Sequence, residues 1–259
     1  MRIFAASKGA SRRKERIERE MGRELLSSSL PISLEVRPSS LVLHFPSRVS
    51  TPFGFYTFEL DPGTPPYQGR PPSRTQPLIR AIALKRKKRI IVLDATCGLG
   101  EDAYLLARYG FSVIGVEKNP LLYLLVRDII ARIGIEDIST STRIRLLCAD
   151  SLRVLQEIHQ GRIDLPLPHV VYLDPMYPST YRRRGKEKKR MQIIRFIVGG
   201  GEDTEAKDLA LAAMAIARHK VVIKRPKKHP PLDLGVSPSH SVVGRGHRFD
   251  IYYVPKEDK

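Results

Sequence analysis

Cysteine is nearly missing from this chain: Cys97 and Cys148 are the only two in 259 residues. They are too few and too far apart for a disulfide framework or a Cys-x-x-Cys metal site, so they read as free thiols and no metal centre is expected. Long apolar runs are missing as well. No segment reaches the roughly 18 apolar residues of a membrane span. Met1 to Ala10 offers no long apolar stretch before the charged run Arg12-Arg13-Lys14-Glu15-Arg16. A reducing, cytoplasmic setting without a membrane partner fits both absences. There is no internal repeat and no low-complexity tail. Acid is scarce beside base, with 27 Asp plus Glu against 45 Lys plus Arg and a formal charge of +18. That excess favours polyanionic partners, nucleic acid first, although a basic surface also serves solubility or acidic lipids.

The hydrophobic content of 42% suffices for one sizeable core and a small second lobe. Residues 1–85 mix a charged, helix-patterned stretch, Ser11 to Leu26, with short alternating runs at Leu41 to Phe45 and Phe53 to Phe58. They predict a small N-terminal α+β lobe, a candidate to help grip RNA. A passage rich in Pro and Gly, Asp61 to Pro72, reads as loop, and Gln76 to Leu84 suits a helix leading onward. Residues 86–259 then repeat strand, turn and helix, the pattern of a doubly wound, Rossmann-like α/β domain. Strands are expected at Ile90 to Asp94, Ser112 to Glu117, Arg143 to Cys148, Val170 to Asp174, Lys220 to Lys224 and Arg248 to Val254. Helices are expected at Glu101 to Tyr109, Pro120 to Ile133, Ser151 to His159 and Glu205 to Arg218.

The first of these strands runs into Asp94-Ala95-Thr96-Cys97-Gly98-Leu99-Gly100. Glycines such as Gly98 and Gly100 let a backbone turn tightly and approach a ligand, although such turns also occur where nothing binds. The next strand ends in Glu117, an acid placed to accept hydrogen bonds from the ribose hydroxyls of an adenosine ligand. A third strand ends in Asp150-Ser151, which can read an adenine amino group. Position 103 is Ala, not the third glycine of a dinucleotide fingerprint. Glu101 and Asp102 at the helix start would repel a pyrophosphate but suit the cationic methionine amine of S-adenosylmethionine. Each of them, singly, is equally explained by ordinary charge compensation at a helix N-terminus.

The fourth strand runs into Asp174-Pro175-Met176-Tyr177-Pro178. A carboxylate, a proline, one more residue and an aromatic at a strand tip form a motif of amino-group methyltransferases. Asp174 can accept a hydrogen bond from the amine, the Pro175 carbonyl can accept a second, and Tyr177 can stack on a base. The bland alternative is an Asp-Pro strand terminator beside a packed aromatic. A dense basic loop follows. Arg182, Arg183, Arg184, Lys188, Lys189 and Arg190 are candidates for positioning RNA phosphates where the base must enter. Lys224 and Arg225, at a later strand end taken to share the active-site face, are candidates for the same work. The final two strands read as an antiparallel pair closing the sheet.

These residues together resemble the bacterial small-subunit (16S) ribosomal RNA methyltransferase J family of guanine-N2 methyltransferases. The likeness rests on Asp94-Ala95-Thr96 with Gly98-Leu99-Gly100, on Glu117 with Asn119-Pro120, and on Val170 to Pro178. It extends to Val222-Ile223-Lys224-Arg225-Pro226 and Gly246 to Tyr252, in order, over about 160 residues from Ile90 to Tyr252. It implies a seven-stranded class I methyltransferase sheet. It also implies S-adenosylmethionine held against Glu101, Asp102, Glu117, Lys118, Asp150, Ser151 and Asp174. The substrate implied is a guanine N2 of ribosomal RNA, free or in the small subunit. Residues 1–85 resemble the family poorly. Two alternatives stay open: methylation of another amino group, an adenine N6 or a protein glutamine, and a non-catalytic RNA-binding assembly factor with the same fold.

Overall fold

The computed structural model describes residues 2–26, 32–44, 57–59, 72–85, 89–176, 197–199 and 203–255. A small sheet opens the chain. Strands β1 (Arg2–Ala5), β2 (Ser33–Val36), β3 (Leu41–His44) and β4 (Thr57–Glu59) lie in that order. Because β1 and β2 run parallel, a long crossover must join them, and helix α1 (Lys8–Leu26) supplies it. Ala10, Ile17, Met21 and Leu25, spaced at helical intervals, form the buried face of α1. The helix was expected from Ser11 and starts one turn earlier. Strands β1 and β2 had no forecast, since four residues each, punctuated by Arg2 and Glu35, carry too little alternation to register. Strand β4 overlaps the expected run at Phe53 to Phe58, of which Phe53 to Tyr56 lie outside the described residues.

The larger sheet has seven strands in the order β10-β11-β9-β8-β5-β6-β7. Five are parallel: β5 (Ile91–Asp94), β6 (Ser112–Glu117), β7 (Ile144–Cys148), β8 (Val170–Leu173) and β9 (Lys220–Pro226). Strands β10 (His240–Val243) and β11 (His247–Tyr253) form an antiparallel hairpin beside β9. The expected six strands are all present, and β10 is the seventh. Its single buried residue, Val242, left no apolar pattern to find.

Helices α2 (Pro77–Ile82), α3 (Glu101–Tyr109) and α4 (Pro120–Glu136) pack on one face, with α2 burying Leu78, Ile79 and Ile82 against the large sheet. Helices α6 (Ser151–His159) and α7 (Asp203–Ile216) cover the other face, where Ala206, Ala210 and Ala213 let α7 lie close. A short turn of helix, α5 (Ile138–Ser141), follows α4 and was not anticipated. All four residues of β8 are buried, as a central parallel strand requires. Strands β5 and β8 are neighbours at the point where the order of parallel strands reverses, so a crevice opens at their carboxyl ends.

The small lobe is joined firmly to α4. Arg13 pairs with the buried carboxylate of Asp128, which also holds Arg132, and Glu20 pairs with Arg127 at 2.7 Å. Ile17 and Met21 of α1, Leu121 and Leu122 of α4, Leu99 of the glycine loop and Ile197 belong to one buried cluster.

Candidate active site

The site grows from the tips of β5, β6, β7, β8 and β9. Past Asp94 the chain turns through residues held to both neighbouring strands: Ala95 N donates to Tyr172 O at 2.9 Å and Cys97 N to Val116 O at 3.1 Å. Gly98 and Gly100 have φ of 55° and 73°. At Gly100 a Cβ would also lie 2.9 Å from Val126 Cγ1, so close packing and backbone conformation both demand glycine. The Glu117 carboxylate ties this loop to the next one. It accepts from Gly98 N and from Asn119 N, each at 2.8 Å, and Asn119 in turn caps α4. Burial pushes the Glu117 carboxyl up; the two amides draw it back without cancelling the rise. Lys118 beside it is exposed.

At the tip of β7, Asp150 caps α6 through Arg153 N and remains exposed to the crevice end of the sheet. Ser151 behaves differently from the expectation that it would read adenine. Its hydroxyl is buried and donates to Ala95 O at 2.6 Å, so its proton stitches the start of α6 to the end of β5.

Beneath the crevice lies a network of three carboxylates, one ammonium and one phenol. Lys224 Nζ donates to Asp174 Oδ2 at 2.7 Å and to Asp102 Oδ2 at 3.1 Å, and Tyr172 OH donates to the same Asp102 oxygen at 2.7 Å. Asp174 N donates to Thr96 Oγ1 at 2.6 Å, and Thr96 N donates to Asp94 Oδ1 at 3.1 Å. The backbone at the motif is thereby anchored to the glycine loop.

Asp94 is 1% exposed, and burial, reinforced by Asp102 and then by Asp174, pushes its carboxyl up to about 8. It is therefore largely neutral at pH 7. Asp174 keeps 31% of its side chain exposed. Its partial burial raises the carboxyl, Lys224 lowers it and Asp102 raises it again, leaving a net upward shift. Burial alone would depress the Lys224 ammonium, but Asp174 and Asp102 outweigh it and hold the charge firmly. Tyr172 is shifted far upward, by burial first and by Asp102 next, and stays a neutral donor.

Several expected residues thus converge at the crevice: Asp94, Gly98, Gly100, Asp102, Glu117, Asp174 and Pro175. Glu101 lies with Asp102 in the first turn of α3. Two expectations need correction. Lys224 does not wait for phosphate; it is paired with the carboxylates of the motif and of α3. Arg225 does not share its face, because successive strand residues point to opposite sides. Arg225 is 1% exposed and donates to Pro230 O on the far side of the sheet. Arg248 is likewise committed, to Asp250 at 2.7 Å and to the His229 carbonyl at 2.5 Å. Tyr177, Arg182, Arg183, Arg184, Lys188, Lys189 and Arg190 lie outside the described residues.

Sequence reasoning missed Thr96 and Tyr172. Tyr172 carried a signal, since it stands two places before Asp174 and a strand returns to the same face every second residue. Thr96 carried none beyond its place in the glycine loop. Among the described residues, no group of three His, Cys, Asp or Glu side chains is arranged to hold a metal, and no helix is long and apolar enough to cross a membrane.

Residues 68–254 match the model of a family described as putative SAM-dependent methyltransferases. The ribosomal RNA small subunit methyltransferase J of Thioalkalivibrio sulfidiphilus is 37% identical over 187 residues, 71% of this chain and 70% of that protein. The protein of the same name from Pseudomonas fluorescens is 39% identical over 180 residues, 68% of this chain and 65% of that one. The matches span about two thirds of the length of these relatives. Among solved structures, a SAM-dependent methyltransferase from Neisseria gonorrhoeae superposes with a TM-score of 0.62 at 22% identity. The alignment covers 100% of this chain and 98% of that one and shows a shared fold.

Proposed function

Since this chain belongs to the SAM-dependent methyltransferase family that includes the ribosomal RNA small subunit methyltransferases J, we propose that it methylates a guanine exocyclic N2 of small-subunit ribosomal RNA, in the cytoplasm. The observation that carries the reading is the Asp174-Pro175 tip of β8, with its carboxylate oriented by Lys224 and its amide fixed on Thr96.

S-adenosylmethionine brings an activated methyl group on a sulfonium, with a neutral leaving group. The residues present fit it. Each Glu117 oxygen accepts one loop amide and has acceptor capacity left for a ribose hydroxyl, Asp150 stands exposed for the adenine end, and the carboxylates outnumber the cations where a positively charged ligand would sit. Glu101, Asp102 and Lys118 complete the cofactor wall in this reading.

The protein's own part is to orient an amine and take up a proton. Asp174 and the Pro175 carbonyl are both acceptors, which suits an exocyclic NH2 presenting its two N–H donors. The guanine N2 and the adenine N6 both present such a pair, so the choice of guanine comes from the resemblance to the guanine-N2 methyltransferases and not from this pair of acceptors. As the nitrogen–carbon bond forms, nitrogen sheds a proton. A carboxylate whose pKa has been raised accepts that proton more readily than an ordinary one. Lys224 stays protonated throughout and serves as a positioning residue. Tyr177 and the basic residues from Arg182 to Arg190 are assigned to stacking and phosphate contacts in this proposal.

Transfer of labelled methyl to small-subunit RNA tests the proposal, with Asp174→Ala as the comparison. The variant is expected to lose most turnover even at saturating S-adenosylmethionine. Undiminished turnover would contradict the role given to Asp174. Label in adenine or in a glutamine would move the substrate, and no transfer with no cofactor binding would leave an RNA-binding assembly factor.

A further inference from the structure

We infer that the outer face of α1 is an RNA-backbone docking rail, a second point of contact some distance from the catalytic crevice. The inference rests on the proposed RNA substrate and extends it to the lobe that the family resemblance leaves out. Lys8, Arg12, Arg16, Arg19 and Arg23 are all exposed. At 3.6 residues per turn they fall within an arc of about 80° on one side of the helix, and at 1.5 Å per residue they extend over about 22 Å. The opposite side is the buried face of Ala10, Ile17, Met21 and Leu25.

Two acids of this helix are employed on its flanks. Glu18 pairs with Lys14 and Glu20 with Arg127, each at 2.7 Å, while Arg13 turns inward to Asp128 and to the Arg37 carbonyl. Glu15 borders the rail, yet none of the rail's cations forms an ion pair among the described residues. A row of exposed cations, on a protein of formal charge +18, is matched by a polyanion of regular spacing. Phosphates follow one another along a nucleic-acid strand more closely than the cations follow one another along the rail, so a backbone laid against α1 can offer it several phosphates. Lipid is the weaker occupant, because a membrane-surface helix needs an apolar face to insert, and the apolar face of α1 is buried in the lobe.

The lobe is also placed to share a substrate with the crevice. Its core includes Leu99 of the glycine loop, Leu121 and Leu122 at the start of α4, and Ile197, which follows the basic segment in the chain. An RNA gripped on α1 therefore lies on a body packed directly against the cofactor loop.

The test uses the full chain carrying Arg12→Gln, Arg16→Gln and Arg19→Gln, substitutions that keep helix propensity. Affinity for a stem-loop fragment of small-subunit ribosomal RNA is measured from 0.05 to 0.3 M salt. At about 0.7 to 0.9 per phosphate contact, losing three contacts should lower the log–log salt slope by about 2 to 3 and weaken binding about a hundredfold or more at 0.1 M salt. Melting temperature and S-adenosylmethionine affinity should not change. If wild type binds the fragment and the variant matches it in slope and affinity, the rail is only a solvated face and the inference falls. If wild type binds no RNA, the proposed substrate falls first. Loss of binding to phosphatidylserine vesicles without loss of RNA binding would also overturn the inference.

Discussion

Replacing Lys224 with methionine keeps the length of the side chain and deletes the charge that orients Asp174. At 2.7 Å the attraction between the two is worth about 1.5 kcal/mol in water and about 6 kcal/mol at an effective dielectric of 20. Side-chain exposures of 22% for Lys224 and 31% for Asp174 place the site toward the wetter limit. An interaction of about 2 kcal/mol corresponds to roughly 1.5 pH units. Lys224 lowers the Asp174 carboxyl, while partial burial and Asp102 raise it. Removing Lys224 therefore moves that carboxyl further up. If turnover needs ionised Asp174, the acidic limb of the kcat profile should shift to higher pH by about 1 to 2 units, and kcat at pH 7 should fall. Lys224→Arg should restore most of the limb. The assay is single-turnover methyl transfer from pH 5 to 9 at saturating cofactor. An acidic limb that stays in place, or moves down, refutes the role assigned to this pair.

Other outcomes follow from the same geometry. Gly100→Ala places a methyl 2.9 Å from Val126 Cγ1 on a backbone with φ of 73°, and should cost about 1–3 kcal/mol in urea unfolding together with a weaker calorimetric affinity for S-adenosylmethionine. An unchanged midpoint and affinity would show that the loop relaxes freely. Asp94 is raised to about 8 from an unfolded value near 4, so its contribution to stability is complete below pH 4 and is lost as pH rises through 8. Asp94→Asn should therefore gain on wild type by a few kcal/mol between pH 5 and 9, and a pH-independent difference would exclude the shift. Tyr172→Phe removes the bond to Asp102 and should destabilise by about 1–2 kcal/mol while lowering kcat more than it changes KM. A change confined to KM would place Asp102 outside the reacting network.

The parts of the fold that sequence shows well are those encoded locally. Val170-Val171-Tyr172-Leu173 is a continuous apolar run because a central parallel strand is covered on both faces, and it announces both the strand and the motif at its tip. Strand β10 is an edge strand with one buried residue, and β1 and β2 are short, so burial wrote no pattern into them. At the site, glycines and strand-end acids were legible because their chemistry follows from position along the chain. The pairings were not. Asp174 N to Thr96 spans 78 residues and Tyr172 OH to Asp102 spans 70, and no local spacing records them. Lys224 and Arg225 look equivalent in a basic run, yet the two-residue period of a strand sends one to the carboxylates of Asp174 and Asp102 and the other to the Pro230 carbonyl.

Nucleoside analysis of RNA labelled by this protein tests the central claim most directly. Small ribosomal subunits or their RNA, incubated with methyl-tritiated S-adenosylmethionine and digested to nucleosides, should yield label in N2-methylguanosine. Label in another nucleoside, or none in RNA, would contradict it.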